Sequence, residues 1–567
     1  VNEAFITGEE KIITKEKGDD LTSGSFIISG NVYAKVIHIG KDNYISKITS
    51  ETKYIKKTNS VIYNSFEKML KILSVLLVPI GILFFINQMG ITNSIPDSLM
   101  SMVSALIGMI PEGLVLLTSS AMAVSVIRLK KYNVLVQDLY SIENLARVDT
   151  LCLDKTGTIT EGFMEVKKII SLKKESEKDI KEILASYVNA LSDPSPTFKA
   201  VESFVSDIKY KDAFLETLSF SSVRKYSAVK FESGVYFLGS PENLYKGKIK
   251  NLSSYQEDYR VLLLAKGESL KNIKDIKPIA LILIQDKIKE NADVTLNYFK
   301  EQGIDIKIIS GDNPVTVSKI ASRAGISDIR SVDMSKVSDE EIPDIIESFN
   351  ILGRVKPDQK KKIVIALKNK GHFVGMTGDG VNDCLALKES DCSIAMASGA
   401  DAAKNVSQFV LLDSKIDNLP LILKEGRRSI NNIERSSSLL LSKTIFTIIL
   451  IIACIFLNTE YFFIPIHLTL ITFFTIGVPS FILALEPNHE LVKGNFLLKV
   501  FLKALPSALT VVFNVVIIKL FQINFGLSQE LCSTLTVFLT AITGFIFLNY
   551  ICKPYNLLRG VMMCILF

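Results

Sequence analysis

Long and short apolar runs alternate with polar segments along the chain. Six long runs are each long enough to cross a bilayer as a helix. They cover residues 70–89, 98–127, 437–457, 462–485, 500–521 and 531–551, and a further apolar run ends the chain. Short runs at 148–153, 304–309 and 372–376 are typical of buried strands in a parallel sheet. The pattern therefore predicts an α-helical membrane bundle together with an α/β domain.

The strand predicted over 148–153 leads into the motif Asp154-Lys155-Thr156-Gly157-Thr158. Asp154 then follows the carboxyl end of a strand, which is where open α/β sheets bind their ligands. A carboxylate there can attack phosphorus and become an aspartyl-phosphate. Lys155 can neutralise the phosphate, and Gly157 lets the backbone approach its oxygens. On this motif alone, an ordinary polar turn remains an alternative.

Two further strand ends carry hydroxyl, glycine and carboxylate groups in similar positions. They are Ser310, Gly311 and Asp312 after the second short run, and Asp379, Asn382 and Asp383 after the third. Between these two motifs, Lys360 supplies a cation. A nucleophilic aspartate, a hydroxyl that holds phosphate, a lysine and a carboxylate that binds Mg²⁺ form a complete set for phosphoryl transfer. The three motifs together therefore argue against the simple turn.

These motifs resemble those of the P-type ATPases, whose phosphorylation domain has the haloacid dehalogenase fold, and the resemblance covers nearly the whole chain. It implies that ATP phosphorylates Asp154, and that Mg²⁺ is held by Asp154, the carbonyl of Thr156 and Asp379. It also implies catalytic roles for Lys155, Thr156, Ser310, Gly311, Asp312, Lys360, Asp379, Asn382 and Asp383. The two required small molecules would be ATP as substrate and Mg²⁺ as cofactor.

The resemblance also implies the fold class: a multidomain α/β protein with an all-α membrane bundle. A Rossmann-like phosphorylation domain of the haloacid dehalogenase type would be split by an inserted α+β nucleotide-binding domain, after a partial β-rich actuator domain. The expected boundaries are 1–55 (actuator), 56–135 (third and fourth membrane helices of the family), 136–160 and 286–425 (phosphorylation), 161–285 (nucleotide binding) and 426–567 (fifth to ninth membrane helices, the last incomplete). We expect a fragment that lacks the family's first membrane helices and its C-terminal end.

Thr7-Gly8-Glu9 resembles the actuator-domain loop of the family. Its glutamate, Glu9, would help water to attack the aspartyl-phosphate. The family often has serine after this glutamate, whereas this chain has Glu10. Because Thr-Gly-Glu by itself is a common turn, the assignment depends on the motifs that follow it.

The predicted nucleotide-binding insert contains four candidate contacts to ATP. Phe220 resembles the family phenylalanine that stacks on adenine, and Lys225 beside it would help to hold phosphate. A core phenylalanine is the ordinary alternative for Phe220. Gly239 lies in a second family segment, in which Leu238 stands where many relatives carry lysine. Arg260 matches a family arginine near the phosphates.

The long run 98–127 contains Pro111 and Glu112. Proline breaks a helix and frees carbonyl groups to bind a cation, and a carboxylate deep in a membrane span is costly unless it is functional. A proline kink with a neutral glutamate is the alternative. The pair matches the PEGL motif of the bacterial calcium-type branch. Thr472 and Thr475 would add hydroxyl ligands on a later helix.

The family's Asn and Asp positions on that later helix fall on Thr472 and Ile476, so Glu112 is the only membrane carboxylate that we assign to the ion site. Hard cations would then need carbonyl, hydroxyl and water oxygens. We expect Ca²⁺ ahead of K⁺, Mg²⁺ and Mn²⁺. Lys443 has two open interpretations, a tethered counter-charge for Glu112 and a lysine that snorkels to the interface.

Composition agrees with a protein that is partly embedded in a membrane. The chain is 48% hydrophobic and 22% charged, with a mean hydropathy of +0.31. A net charge of +6 does not argue for nucleic acid, and seven scattered cysteines indicate neither a disulfide framework nor a thiolate metal site. Basic residues at 128–131 and 427–428 indicate cytoplasmic catalytic domains. We expect a multi-pass monomer in the cell membrane whose partners are ATP, a transported cation and the lipid bilayer.

Two classes of function are compatible with these residues. The leading hypothesis is ATP-driven cation transport through an aspartyl-phosphate. The alternative is a membrane-anchored phosphatase of the haloacid dehalogenase type, or a regulatory relative that does not pump. A simple phosphatase would need neither the helix break at Pro111 nor the Thr7-Gly8-Glu9 loop.

Overall fold

The computed structural model describes residues 1, 13–23, 25–27, 32–39, 60–111, 113–173, 175–193, 195–209, 213–221, 224–270, 276–492 and 494–567. The chain forms two compact units. Unit 1 comprises Val1–Lys56 and Asp149–Asp417, and unit 2 comprises Lys57–Val148 and Asn418–Phe567.

Strands and helices are numbered in chain order. The strands are β1 Val134–Val136, β2 Thr150–Asp154, β3 Thr160–Ser171, β4 Phe214–Ser221, β5 Tyr226–Phe231, β6 Gly234–Gly239, β7 Arg260–Gly267, β8 Lys277–Ile288, β9 Asp305–Ile309, β10 Ser331–Asp333, β11 Ile351–Gly353, β12 Val374–Gly378, β13 Cys392–Met396 and β14 Phe409–Leu411. The α-helices are α1 Val61–Thr92, α2 Ile95–Met109, α3 Gly113–Lys130, α4 Ser141–Arg147, α5 Glu177–Ala190, α6 Pro196–Val205, α7 Pro241–Leu244, α8 Leu252–Asp258, α9 Ala292–Glu301, α10 Pro314–Arg323, α11 Ile342–Ile345, α12 Pro357–Asn369, α13 Cys384–Glu389, α14 Asp401–Val406, α15 Leu419–Leu457, α16 Pro465–Thr472, α17 Val478–Ala484, α18 Phe496–Phe525, α19 Gln529–Ile551 and α20 Leu557–Leu566.

Unit 1 contains a parallel sheet in the order β14-β13-β12-β2-β9-β11-β10. Every residue of β2, β12 and β13 is buried, which explains why these strands are almost wholly apolar in sequence. Helix α12 packs Ile363 and Leu367 against Cys152 and Met376 of the central strands. Strands β9 and β12, which lie on either side of β2, therefore come from distant parts of the chain. Their carboxyl ends lie at the same edge of the sheet as the carboxyl end of β2.

A second sheet in unit 1 is antiparallel, in the order β3-β8-β7-β6-β5-β4. Successive side chains along each strand point to opposite faces of the sheet. One face packs with α5 and α6, and the other forms a separate core around Phe237 and Leu263. The α5 side is tightly filled: Tyr187 is fully buried and donates a hydrogen bond of 2.9 Å to Ser227 Oγ. Along the chain, β3 is the first strand of this sheet and β8 is the last. These two strands pair with each other, so the chain leaves the parallel sheet and returns to it at neighbouring positions.

Unit 2 is helical around one large apolar core. Six helical segments of the described chain are long and apolar enough to cross a membrane. They are Val61–Thr92, Ile95–Lys130, Ile416–Leu457, Pro465–Ala484, Phe496–Phe525 and Gln529–Ile551. Two of them are interrupted. The second breaks where α2 ends at Met109 and α3 begins at Gly113, and the fourth passes through a π-turn, Phe473–Gly477, between α16 and α17.

Five of the six spans in the described chain are longer than the apolar runs predicted, and the fourth, Pro465–Ala484, is slightly shorter. The run 70–89 corresponds to Val61–Thr92, and the run 437–457 corresponds to Leu419–Leu457. The reason in the first case is local, because Ser60 Oγ accepts a hydrogen bond of 2.9 Å from the backbone N–H of Tyr63 and caps a helix that begins at Val61, well before residue 70. Hydropathy identifies only the apolar part of such a helix. The break expected at Pro111 is present, since Ile110 before it has extended backbone angles.

Candidate functional site

The candidate active site lies at the carboxyl end of β2. Asp154 is the last residue of β2 and pairs in register with Ile309 of β9, while Leu153 pairs with Thr377 of β12. Ser310 directly follows β9, and Gly378 ends β12 just before Asp379. Because parallel strands end at the same edge, the three predicted motifs converge there. Each side chain is thus positioned by a rigid strand end.

Lys360 connects two of these motifs. From helix α12 its Nζ donates hydrogen bonds of 2.7 Å to Asp154 Oδ1 and 2.6 Å to Asp383 Oδ1. All three side chains are buried. Burial alone would lower the pKa of Lys360, but the two carboxylates outweigh it and raise the pKa above its ordinary value. Lys360 is therefore a permanent cation that holds one oxygen of Asp154.

Three carboxylates form a cluster beside this lysine. Oxygen atoms of Asp154, Asp379 and Asp383 all lie within 4.8 Å of one another. Burial raises the pKa of Asp379 to about 7, and the neighbouring Asp154 and Asp383 add to that shift. Burial also raises the pKa of Asp154 to about 6, against the opposing effect of Lys360. A buried group of hard oxygen ligands with too little positive charge fits a small divalent cation such as Mg²⁺.

The loop after Asp154 is shaped by close contacts. The backbone N–H of Thr156 donates 3.2 Å to Asp154 Oδ2, and the Thr156 side chain is exposed. Gly157 has a φ of +67°, and a Cβ at this position would collide with the carboxylate of Asp379. Only glycine combines that backbone angle with that contact. The loop therefore lies directly against Asp379.

Two lysine side chains, Lys155 and Lys289, donate hydrogen bonds that hold this loop in place. Lys155 Nζ donates to the carboxylate of Asp312 and, at 3.2 Å, to Asp286 Oδ2. These two carboxylates outweigh the effect of burial and raise the pKa of Lys155. Lys289 Nζ donates to the carbonyl of Gly157 and, at 2.6 Å, to the carbonyl of Ser414. Lys289 stands where the resemblance expects the arginine of an Asp-x-x-Arg motif, but its contacts to these backbone carbonyls were not predicted.

The remaining predicted residues of this site lie in two turns. Ser310 is buried, and its Oγ accepts a hydrogen bond of 3.2 Å from the backbone N–H of Asp312. Gly311 between them is exposed. Asn382 lies in the short 3₁₀ turn Val381–Asp383, one residue before Asp383. The structure thus brings the predicted catalytic residues that it describes in unit 1 to one edge, while Glu9 lies outside the described residues.

The predicted nucleotide contacts lie at one end of the antiparallel sheet. Phe220 and Lys225 flank the β4–β5 turn, in which Ser221 pairs with Tyr226, and Tyr226 pairs with Gly239 of β6. Arg260 begins β7 at the same end, and its Nη1 donates 2.9 Å to Thr197 Oγ1. All four residues therefore lie at the same end of this sheet, an arrangement in which one ligand can contact them together.

The burial of the side chains separates two hypotheses about this insert. The Phe220 ring is 39% exposed, which argues against the core-phenylalanine alternative. Leu238, which stands where relatives carry lysine, is only 4% exposed and packs in the core. Gly239 has a packing reason to be glycine, because a Cβ there would lie 2.5 Å from the carbonyl oxygen of Lys225. A role of Gly239 in binding nucleotide is therefore not needed to explain it.

The membrane candidates lie in unit 2, around the break between α2 and α3. Pro111 is buried, while Glu112 lies outside the described residues. Thr475 is buried in the π-turn and donates 2.7 Å to the carbonyl of Ile471. For Thr472, one turn earlier, the hydroxyl is buried without a hydrogen-bond partner among the residues that the structure describes.

Two further threonines of this region were not assigned to the ion site from the sequence. Thr444 on α15 is buried, and within the described part of the chain its hydroxyl finds no partner. Thr447, one turn on, packs directly against α2, because a Cβ at Gly108 would lie 2.7 Å from its Oγ1. Both lie on one face of α15, close in sequence to Lys443, which is partly buried. The signal was present as two hydroxyls three residues apart in an otherwise apolar run.

Comparison with known proteins places these features in a family. Residues 148–391 match the haloacid dehalogenase-like hydrolase family, and residues 1–53 match the P-type ATPase actuator domain. The chain is 43% identical to the probable cation-transporting ATPase exp7 of Streptococcus pneumoniae, over 99% of this chain and 74% of that protein. It is 38% identical to the calcium-transporting ATPase CtpE of Mycolicibacterium smegmatis, over 90% and 67%, and 37% identical to CtpE of Mycobacterium tuberculosis, over 98% and 73%.

An aspartate at the end of a haloacid-dehalogenase-type sheet, in a chain with membrane-spanning helices, defines a membrane-bound phosphoryl-transfer enzyme. The chain belongs to the P-type ATPase family and is an ATP-hydrolysing cation transporter. It is a multi-pass membrane protein with cytoplasmic catalytic domains. P-type ATPases in general use ATP and Mg²⁺. Glu9 falls within the matched actuator segment but lies outside the described residues.

Proposed function

We propose that Asp154 accepts the γ-phosphoryl group of ATP in each transport cycle. The observation that supports this most is the asymmetric binding of its two oxygens. Oδ1 is held by Lys360 at 2.7 Å, whereas Oδ2, among the residues that the structure describes, accepts a longer hydrogen bond of 3.2 Å from Thr156 N–H. Oδ2 is therefore the oxygen available to attack. As it bonds to phosphorus, the bond from phosphorus to the ADP oxygen breaks, and ADP leaves with that electron pair.

The side chains around Asp154 suit this transfer. Asp154, Asp379 and the carbonyl of Thr156 would hold Mg²⁺, with Asp383 completing the anionic cluster. A bound Mg²⁺ would neutralise charge on the transferring phosphate. Lys155 and the Ser310 hydroxyl would hold phosphate oxygens, as would the backbone at Gly311. Asp312 and Asn382 would fix the turns that carry these groups.

ATP would reach Asp154 from the nucleotide-binding insert. We infer that Phe220 stacks on adenine because its ring is accessible, and that Lys225 and Arg260 pair with phosphates. Gly239 would lie beside the ligand, where the lack of a side chain lets the backbone of Lys225 come close. After phosphorylation, Glu9 would direct a water molecule at the aspartyl-phosphate, and cleavage of the bond between phosphorus and Asp154 would release inorganic phosphate. All these groups belong to one chain, so a monomer suffices.

For the transported ion we propose a site built from carbonyls at the Pro111 break, the Glu112 carboxylate, and the hydroxyls of Thr472 and Thr475. The support is the coincidence of a broken helix with a π-turn that carries buried hydroxyls. Hard oxygen ligands with one carboxylate suit Ca²⁺ ahead of K⁺, Mg²⁺ and Mn²⁺. Two of the relatives above are named calcium-transporting ATPases.

The phosphorylation proposal is tested with ATP labelled in the γ-phosphate. The full-length protein should form an acid-stable phosphoenzyme that hydroxylamine cleaves, and Asp154→Asn should form none. Asp149→Asn is a matched control at the opposite end of the same strand, because Asp149 is exposed and bonded to His372. Label retained in Asp154→Asn, or lost equally in both variants, would overturn the assignment.

The ion proposal is tested by measuring phosphoenzyme formation with Ca²⁺, K⁺ or Mn²⁺ added singly at a fixed Mg²⁺ concentration. Ca²⁺ should stimulate it at the lowest concentration. A response to K⁺ or Mn²⁺ without one to Ca²⁺ would leave the transporter assignment intact and refute the choice of ion.

A further inference from the structure

Helix α19 carries a polar row on its buried face. Thr536 and Thr540 are 1% and 2% exposed, although the helix is apolar enough to span a membrane. Neither hydroxyl has a hydrogen-bond partner among the residues described in unit 2 or elsewhere in the structure. A third hydroxyl on this face, that of Thr543, is engaged, because it donates to the Leu539 carbonyl and accepts from Asn514.

These two hydroxyls, like those of Thr444 and Thr472, lack a partner among the described residues, whereas other threonines of the bundle have one. Thr534 of the same helix donates 2.9 Å to the carbonyl four residues earlier, and Thr475 donates 2.7 Å in the same way. This bond is the ordinary way for a threonine to satisfy its hydroxyl in a membrane helix. An unpaired hydroxyl inside an apolar bundle is unfavourable, since no solvent replaces the missing bond. Two such groups on successive turns of one buried face point to a ligand between them and their neighbours.

Thr536 and Thr540 lie between the candidate ion site and the outer end of α19. Gly544 of α19 lies against the candidate ion site, because a Cβ there would be 3.1 Å from Thr475 Oγ1. Thr540 is about one turn from Gly544 and Thr536 about two turns, both toward Gln529, where α19 begins. Since α15 leaves the cytoplasmic catalytic part and each later span reverses direction, the start of α19 is its outer end.

We propose that Thr536 and Thr540 line the outer stretch of the ion path, between Thr475 and the outer surface. This rests on the proposed function of the Thr475 region. Successive hydroxyls lie roughly 6 Å apart along the helix, which is close enough for one cation to exchange one oxygen for the next. Neutral hydroxyls can replace part of the hydration shell without trapping the ion, which suits a passage more than a tight binding site. The same geometry suits a static water chain, and the experiment separates the two.

The test uses the full-length protein in membranes and compares the double variant Thr536→Val/Thr540→Val with the single variants Thr534→Val and Thr540→Ser. Thr536→Val and Thr540→Val remove the buried hydroxyls while keeping the shape of each side chain. Thr534→Val is the matched control, because Thr534 lies on the same helix, is exposed, and satisfies its own hydroxyl. Two quantities are measured, the cation concentration that half-stimulates phosphoenzyme formation and the rate at which the phosphoenzyme decays.

If the hydroxyls line the outer path, the double variant Thr536→Val/Thr540→Val should form phosphoenzyme with the parent's cation dependence. Its decay should be slower by roughly tenfold, the factor expected from the loss of one hydroxyl contact of ordinary strength. Thr534→Val should decay like the parent, and Thr540→Ser, which keeps the hydroxyl, should do so too.

Several outcomes would overturn the proposal. Decay at the parent's rate in the double variant, with an unchanged or raised midpoint of thermal unfolding, would show that the hydroxyls hold at most static water. Slow decay in Thr540→Ser would indicate altered packing and not a lost oxygen. Failure of the parent itself to show cation-dependent phosphorylation would instead refute the proposed function of the ion site, so the two failures are distinguishable.

Discussion

Replacement of Lys360 by methionine tests the charge balance of the active site most directly. Lys360→Met keeps the aliphatic stem and removes the ammonium that contacts Asp154 at 2.7 Å and Asp383 at 2.6 Å. Three carboxylates within 4.8 Å of one another would then remain without their nearest buried cation. Breaking a buried ion pair from one side costs about 3–5 kcal/mol. Because one ammonium serves both ion pairs, the expected loss of folding free energy is that of one broken pair and not of two.

The matched control is Lys362→Met on the same helix. Lys362 pairs with Asp339, and both side chains are about half exposed, so solvent screens this bridge and it contributes little to stability. Thermal unfolding of the full-length protein should therefore show a clearly lower midpoint for the part containing unit 1 in Lys360→Met and little change in Lys362→Met. Added Mg²⁺ should stabilise Lys360→Met more than the parent, because the unneutralised cluster gains more from a cation.

Phosphorylation gives a second readout of the same change. Without Lys360 the ionised form of Asp154 loses its main stabilising contact, so labelling from ATP should fall sharply in Lys360→Met and persist in Lys362→Met. Equal midpoints and equal labelling in the two variants would refute the inference that Lys360 balances the charge of the cluster.

Three other substitutions follow from the geometry. Gly157→Ala should abolish phosphoenzyme formation while leaving the chain folded, because a Cβ collides with Asp379 at a positive φ; labelling at the parent's rate would contradict this. Phe220→Ala should weaken ATP binding to the full-length protein by about 1–3 kcal/mol, as for other aromatic–base stacks, whereas unchanged affinity in a binding titration would mean that the exposed ring does not contact adenine. Glu112→Gln should remove cation-dependent phosphorylation and leave ATP affinity unchanged; cation stimulation that survives would exclude Glu112 from the ion site.

Sequence predicted the parallel sheet and its active edge because both depend on local pattern. The apolar strands before Asp154, Ser310 and Thr377 are continuous and short, and each ends in a small polar motif. The family resemblance supplied roles for the residues. It could not supply the pairing of Lys360 with Asp383, because that contact depends on how α12 packs over the sheet.

The membrane unit was less predictable for a physical reason. Hydropathy registers the apolar part of a span and misses the capped helical segment that precedes it, as after Ser60. It also gives no weight to a hydroxyl within an apolar run. The buried hydroxyls of Thr444, Thr536 and Thr540, which lack a partner in the described part of the chain, became visible only when neighbouring helices were in place.

The length of α15 has a mechanical consequence. Its 39 residues form one helix that begins directly after the last residues of unit 1 in the chain and reaches the outer end of the membrane unit. At 1.5 Å per residue it is about 58 Å long, so a tilt of about 5° displaces one end by roughly 5 Å relative to the other. A stiff rod of this length turns a small rotation at its cytoplasmic end into a displacement comparable to the diameter of a hydrated ion's inner shell.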